Sequence, residues 1–330
     1  MIDKFIEKNF HLSLILEKQH KNVVYFNNPL NNFWKKIFKL KYEPKVFNMC
    51  FKINKKFKII KYINKARLNE DDLLNLRKLN GGMIPEKKNI PFYYEAQNYE
   101  TELISFASHI LKPNDVFIDV GSNIGTININ VAIHNPKVKI IAFEASKFTG
   151  KINKFFLEHL KIKNVKVFDC ALGEKDQRGK LFQSPIESGR DSIKKIDDST
   201  KYQEIEIKKL DSFNFNEVKL LKVDVEESEI NVFRGADKLI KNSCPAIIFE
   251  STLNKGIKYK EPFQYLKKNG YRFFISGWTD KKNVWLNTTS NVPKKNLIFF
   301  ELHKIEDREK LEFKTMNIFA LQDIHLKNYF

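Results

Sequence analysis

Glycine and proline are scarce in this chain of 330 residues, with 12 and 10 copies. That scarcity excludes collagen-like repeats and flexible low-complexity sequence. Cysteine is scarcer still, since Cys50, Cys170 and Cys244 are the three present and stand far apart. Scattered thiols suit a reduced, cytoplasmic protein better than a disulfide framework. No run of about 18 apolar residues occurs, so no membrane-spanning helix is expected. The start, Met1-Ile2-Asp3-Lys4, brings in an acid early, and the short apolar run Leu12–Leu16 leads into Glu17-Lys18. That pattern does not read as a secretory signal. Internal repeats are also lacking.

What the chain has in excess is positive charge. Lys and Arg number 58 against 40 Asp and Glu, a formal net charge of +18. Such a field draws nucleic acid, an anionic membrane surface or an acidic glycan. It also follows from a composition rich in Lys, Asn, Ile and Phe, in which case it is only a solvated surface. With 42% hydrophobic residues the chain can bury a sizeable core, which excludes a wholly disordered protein.

Three zones are expected: a basic N-terminal extension over 1–98, a main domain over 99–303 and a C-terminal tail over 304–330. In the extension, the alternation over 52–62 favours a strand, and 71–79 reads as a helix with acids at its start and Gly81-Gly82 after its end. The main domain has a regular rhythm. Strands are expected at 116–120, 139–143, 165–168, 220–225 and 246–249, with helices at 102–111, 124–133, 152–160 and 229–240 between and before them. Strands alternating with helices build a parallel α/β sheet with right-handed crossovers. Farther on, a helix over 262–269 and two strands, 271–275 and 297–302, read as a closing hairpin-like pair. The last 25 residues read as two helical pieces.

The sharpest segment is Asp119-Val120-Gly121-Ser122-Asn123-Ile124-Gly125, where the first parallel strand hands over to a helix. Ligands bind at this carboxyl edge of open α/β sheets. Glu144 ends the second strand, and a carboxylate there can accept both hydroxyls of a ribose. The glycine spacing lacks the full G-x-G-x-x-G that brings backbone against a pyrophosphate. A nucleoside without phosphates, such as S-adenosylmethionine, suits this loop better than a dinucleotide. The third strand leads to Asp169-Cys170-Ala171, beside the expected position of the base, where Asp169 can accept from an adenine amino group. The fourth strand runs into Asp224 and Glu226, which lie two apart, so an extended strand puts them on one face. Glu250 ends the fifth. These three acids are the candidate general bases, and alternatively the oxygen ligands of a divalent metal such as magnesium. Glu229 reads instead as an acid favourable at a helix start.

These residues resemble the FkbM family of S-adenosylmethionine-dependent methyltransferases. The resemblance runs from Tyr99-Glu100-Thr101-Glu102 through Val116–Gly125, Ala142-Phe143-Glu144-Ala145, Leu221–Glu226 and Pro245–Glu250 to Asn296–Phe300. It implies a seven-stranded Rossmann-like methyltransferase sheet of class I, mostly parallel with an antiparallel C-terminal edge. It also implies O-methylation of a sugar or polyketide-type hydroxyl. By the same resemblance Gly121, Asn123 and Gly125 line the methionine part of the cofactor, with Asp119, Ser122, Ala145 and Asp224 in the motifs beside it. Glu144 binds the ribose, and Glu100 or Glu102 lies near the cofactor. The chain departs from the family at Ser122, where the family reads Ala, at Ala145, where it reads Pro, and at Glu227, where it reads Gly.

The leading expectation is therefore an O-methyltransferase of a surface glycan or secondary metabolite, with Asp224 or Glu226 as base. A cytoplasmic location, peripheral to the membrane through the basic extension, fits such an acceptor, and the extension is also a candidate for dimerising the chain. Three readings compete. A nucleic-acid methyltransferase is favoured by the charge and by Asn89-Ile90-Pro91-Phe92, but disfavoured because that tetrapeptide does not follow strand four. A nicotinamide-dependent oxidoreductase is disfavoured by the incomplete glycine loop. A catalytically silent relative is suggested by Glu227.

Overall fold

The computed structural model describes residues 50–52, 100–182, 192–193, 202–253, 259–279, 284–286, 296–302, 304–311 and 315–329. The expected helix at 71–79, the remainder of the strand expected over 52–62 and the Asn89-Ile90-Pro91-Phe92 segment lie outside the described residues. The chain divides into two compact units, residues 60–250 and residues 1–59 with 251–330. The first described strand, β1 (Cys50–Lys52), belongs to the latter.

The unit of residues 60–250 carries the expected rhythm. Its elements are α1 (Thr101–Ile110), β2 (Val116–Val120), α2 (Thr126–His134), β3 (Lys139–Phe143), α3 (Lys147–His159) and β4 (Val165–Phe168). There follow β5 (Ala171–Leu172), β6 (Gln177–Phe182), β7 (Tyr202–Lys208), β8 (Val218–Val223), α4 (Glu229–Gly235), α5 (Asp237–Ser243) and β9 (Ala246–Thr252). The strands β9-β8-β2-β3-β4 lie side by side in that order, and all of them are parallel. The chain runs outward from β2 through β3 to β4, then returns to β2's other side for β8 and β9. The point of reversal between β2 and β8 is where an open α/β sheet opens a crevice for a ligand.

Burial explains why these strands read so clearly. Phe117, Ile118, Leu220, Leu221, Ala246, Ile247 and Ile248 are all buried, as expected of strands covered on both faces. Ile124, Ile129, Ile152, Phe156 and Leu157 form a second apolar cluster that joins α2 to α3.

Two features differ from expectation. Residues 171–208 contribute a three-stranded sheet, β5-β7-β6, with its own apolar cluster of Ala171, Leu181, Ile205 and Ile207. The helix expected over 229–240 is two helices broken at Gly235–Ala236. A Cβ on Gly235 would lie 1.9 Å from the carbonyl oxygen of Gly173, so the chain breaks where backbone meets backbone.

In the other unit, α6 (Lys260–Lys268) precedes β10 (Arg272–Thr279), and β11 (Val284–Leu286), β12 (Asn296–Leu302), β13 (Thr315–Leu321) and α7 (Asp323–Tyr329) follow. β10 pairs antiparallel with β12, β11 and β13, and β12 pairs antiparallel with β1. The expected closing pair is therefore β10 with β12. The last residues hold a 3-10 turn at Ile305–Leu311, a strand and a helix, where two helical pieces were expected. β13 is a strand because Met316, Ile318 and the run Phe319–Leu321 are buried, and β10 supplies its backbone partners. Arg272 grips Glu301 with two hydrogen bonds of 2.7 and 2.6 Å and reaches Asp323 at 2.9 Å, which ties β10, β12 and α7 together. Parallel strands in one unit and antiparallel C-terminal strands in the other give the α/β class expected, mostly parallel with antiparallel strands at the C-terminal end. Among the described residues no helix is long and apolar enough to cross a membrane.

Candidate active site

The site is built at the carboxyl ends of β2, β3, β8 and β9, within residues 60–250. Gly121 ends β2 with φ of +73°, a backbone region that side chains disfavour. A Cβ there would lie 1.7 Å from the carbonyl oxygen of Asp224, so the turn can press against the loop after β8 only as glycine. Gly125 follows with φ of +92°, and a Cβ there would lie 2.4 Å from Oδ1 of Asn153. That close approach matters, because the Asn153 amide on α3 donates to the Ser122 hydroxyl at 3.3 Å. The backbone N–H groups of Gly121 and Ser122 both donate to the Phe143 carbonyl at 3.0 Å, which fixes the turn to β3.

Glu144 is buried at the end of β3. One carboxylate oxygen accepts the Asn123 N–H at 2.6 Å and the other accepts the Ser146 N–H at 2.8 Å. Each oxygen has a second lone pair; the Thr149 hydroxyl competes for one, and the acceptor capacity that remains suits a sugar hydroxyl. Burial pushes the Glu144 carboxyl up to about 7, against which the Ser146 and Asn123 hydrogen bonds work. A carboxylate in that condition gains from any further donor. Asn123 Oδ1 and Ser146 Oγ are buried beside it without a hydrogen-bond partner. These features fit an adenosine ribose.

The ends of β3 and β4 are held by aromatic rings. Phe143 and Phe168 stack at 5.1 Å, and Phe213 meets both edge-on at 5.0 and 5.2 Å. They precede Glu144 and Asp169 directly and so set where those acids leave the sheet. Asp169 pairs with Lys154 at 2.5 Å, and its other oxygen faces Gly150, where a Cβ would be 3.2 Å away. Cys170 is buried, and burial pushes its thiol up to about 11, so it is no reactive thiolate. Ala171 packs into the apolar cluster of the small sheet. The Ala145 carbonyl accepts from the Gln203 amide of β7 at 2.7 Å.

Carboxylate oxygens of Asp224, Glu226 and Glu250 lie within 4.8 Å of one another. The three acids expected to converge do so, but not along an extended strand: β8 ends at Val223 and Glu226 is left-handed, with φ of 51°. Burial pushes the Glu250 carboxyl up to about 10, reinforced by the negative charges of Asp224, Glu226, Glu229 and Glu100. Glu250 therefore holds a proton at neutral pH. Glu100 ends in the same field from the start of α1, in a left-handed conformation with φ of 43°. Glu102, in the first turn of α1, is buried. Glu229 accepts the Val225 N–H at 3.3 Å, the local role expected of it. Such a cluster can take a proton from a bound hydroxyl or, at this spacing, bridge a hard divalent cation.

Glu226 and Glu227 both have positive φ, 51° and 69°. The loop thus has the backbone shape that glycine adopts freely, with glutamate at both positions.

Asp119 was expected at the cofactor, but it has no exposed surface. Its carboxylate meets the Lys222 ammonium at 3.3 Å and the Asn128 amide at 3.3 Å, so it serves the interior of the sheet. Sequence reasoning also passed over Lys222, Asn153 and Gly150. Only Lys222 left a signal, as a charge flanked on both sides by apolar residues within a strand.

Against known proteins, the Methyltransferase FkbM domain matches residues 119–273. A relative, Methyltransferase 1 of Beauveria bassiana, is 30% identical over 168 residues, which cover 44% of this chain and 68% of that protein. The chain belongs to the FkbM family of S-adenosylmethionine-dependent methyltransferases. Among solved structures, the FkbM methyltransferase of Methylobacillus flagellatus is similar with a TM-score of 0.37 at 12% identity, covering 70% of this chain and 59% of that one. The precorrin-6y C5,15-methyltransferase of Geobacter metallireducens has a TM-score of 0.38 at 11% identity, covering 68% and 89%. Within the family match fall the Gly121 turn, Glu144 and the three converging acids.

Proposed function

We propose that this methyltransferase transfers its methyl group to a hydroxyl oxygen of a carbohydrate, in a surface glycan or a glycosylated secondary metabolite. The observation that carries the reading is the convergence of Asp224, Glu226 and Glu250 beside the Gly121 turn. S-adenosylmethionine supplies a methyl group already activated by its sulfonium. The Gly121–Gly125 turn would hold its methionine part, Glu144 its ribose and Asp169 the amino group of its base.

The chain's own task is then to aim an oxygen and remove its proton. Alignment of this kind lowers barriers by about 7–11 kcal/mol in favourable cases. A positioned base adds about 10²–10⁴-fold. Glu250, which holds a proton, can donate a hydrogen bond within the cluster and fix its geometry. Asp224 or Glu226 is then the acceptor for the hydroxyl proton. The same negative cluster repels a phosphodiester, which disfavours nucleic acid as acceptor.

A ring-bearing acceptor has a platform nearby. The Phe182 and Tyr202 rings lie 6.1 Å apart at one end of the small sheet, and Tyr202 is 50% exposed. That end touches both halves of the site. Gln203 reaches Ala145, and Ser192, bridged to Phe182, donates to the Glu226 carbonyl at 3.3 Å. The Lys180 ammonium covers one face of Tyr202 at 4.0 Å, and the ring surface left exposed is what would receive the apolar face of a sugar ring.

Mass spectrometry of surface glycans from cells with and without the gene tests the reading. Loss of one methyl's mass from one sugar, restored by the wild-type gene and not by Asp224→Asn with Glu226→Gln, is the expected result. Unaltered glycans and a methyl group lost from RNA instead would overturn it.

A further inference from the structure

A lysine inside a buried parallel strand is costly unless every donor of its ammonium is met. Lys222 of β8 is 3% exposed, and its backbone sits directly opposite Asp119 of β2. Its Nζ lies 3.3 Å from the Asp119 carboxylate and 3.4 Å from that of Asp224, and it donates to the Gly121 carbonyl at 3.0 Å. An ammonium has three donors, and here it has three acceptors.

Asp119 alone would suffice for a structural ion pair inside the sheet. The other two acceptors belong to the cofactor turn and to the acidic loop, and those two segments already touch, as the Cβ clash at Gly121 requires. Lys222 binds both to the same buried strand. The surrounding acids strengthen its hold: although burial works against the ammonium, Asp119, Asp224 and Glu100 outweigh it and keep Lys222 charged.

We propose that Lys222 is a positioning residue of the methyltransferase site: its ammonium, anchored on β8, clamps the Gly121 turn that follows β2 to Asp224 and so fixes the cofactor loop and the acidic cluster in one arrangement. The inference rests on the proposed placement of S-adenosylmethionine at this sheet edge. A flat guanidinium cannot serve three acceptors spread around a point, so the position specifies lysine rather than any cation.

Lys222→Met leaves the buried Asp119 and the half-buried Asp224 without their cation and lowers the melting temperature. Adding Asp119→Asn removes the uncompensated charge and restores most of it. The decisive readout is calorimetric affinity for S-adenosylhomocysteine in that double variant. The expected result is recovered melting with affinity still about tenfold or more below wild type. A purely structural lysine would let affinity recover along with stability, and that outcome overturns the inference. Should the double variant fail to fold, the Lys222 ammonium of the wild type is followed by ¹⁵N NMR. A resonance shifted by S-adenosylhomocysteine supports the clamp, and an unmoved resonance at saturating ligand contradicts it. A wild type that does not bind S-adenosylhomocysteine sinks the cofactor placement itself, and the inference falls with it.

Discussion

Single residues decide whether this site works, and Glu227 is the plainest case. Its φ of +69° places an L side chain in the left-handed region, which costs about 1–2 kcal/mol. Glycine pays no such penalty, though it loses more backbone freedom on folding. Glu227→Gly is therefore expected to stabilise the protein by about 0.5–1 kcal/mol, read from urea unfolding midpoints. An unchanged or lowered midpoint would argue that the glutamate side chain earns its place through contacts. Glu250 makes a second prediction. Its folded carboxyl sits at about 10 against an ordinary 4.5, so between those values the folded state binds a proton that the unfolded state has released. Stability contributed by that proton is whole below about pH 4.5 and declines as pH rises toward about 10. Glu250→Gln removes this decline. The variant's stability advantage over wild type should widen from about pH 6 to about pH 9 in thermal melts. Parallel curves would refute the raised carboxyl. Glu144, at about 7, adds a slope of the same sign that ends near neutrality.

Elements differ in how much the chain reveals of them. The five parallel strands are legible because burial on both faces makes each a short apolar run, and three of them keep the expected limits. The acids at their ends are legible because a parallel sheet delivers every strand's carboxyl end to one edge. The small sheet is legible in β7 alone, where Glu204-Ile205-Glu206-Ile207 alternates as a half-buried strand does, whereas β6, with Gln177, Arg178 and Lys180 exposed, carries no such pattern. Lys222 escaped for another reason: two of its three partners are 103 residues away at Asp119 and 101 at Gly121, a pairing that exists only once β2 and β8 lie together. The small sheet bears the third prediction. If Phe182 and Tyr202 form a platform for the acceptor, Tyr202→Ala raises the acceptor KM by about tenfold and leaves the affinity for S-adenosylhomocysteine alone, whereas Tyr202→Phe keeps both. A KM indifferent to the ring would remove the platform from the account.

On the scale of the whole molecule the charge is unevenly spread. The first 98 residues carry 20 Lys and Arg against 9 Asp and Glu, more than half of the net +18. The site, by contrast, gathers carboxylates. A basic extension and an acidic centre make opposite demands on a polyanion. RNA is therefore expected to bind through counterion release alone, its affinity falling steeply as salt rises, with no methyl group transferred to it. Methylated RNA in a radiolabel assay would reverse the assignment of the acceptor. None of this changes the cofactor end of the site, where the geometry is densest: a glycine turn shaped by Asp224, a buried carboxylate that bridges two loops, and aromatic rings that fix its strand. The most direct measurement is the dissociation constant of S-adenosylhomocysteine for wild type and Glu144→Ala, with Glu144→Gln and far-ultraviolet circular dichroism as controls for folding. A lost pair of charge-assisted hydrogen bonds predicts a folded variant about tenfold or more weaker. A folded Glu144→Ala protein that binds as tightly as wild type would contradict the account.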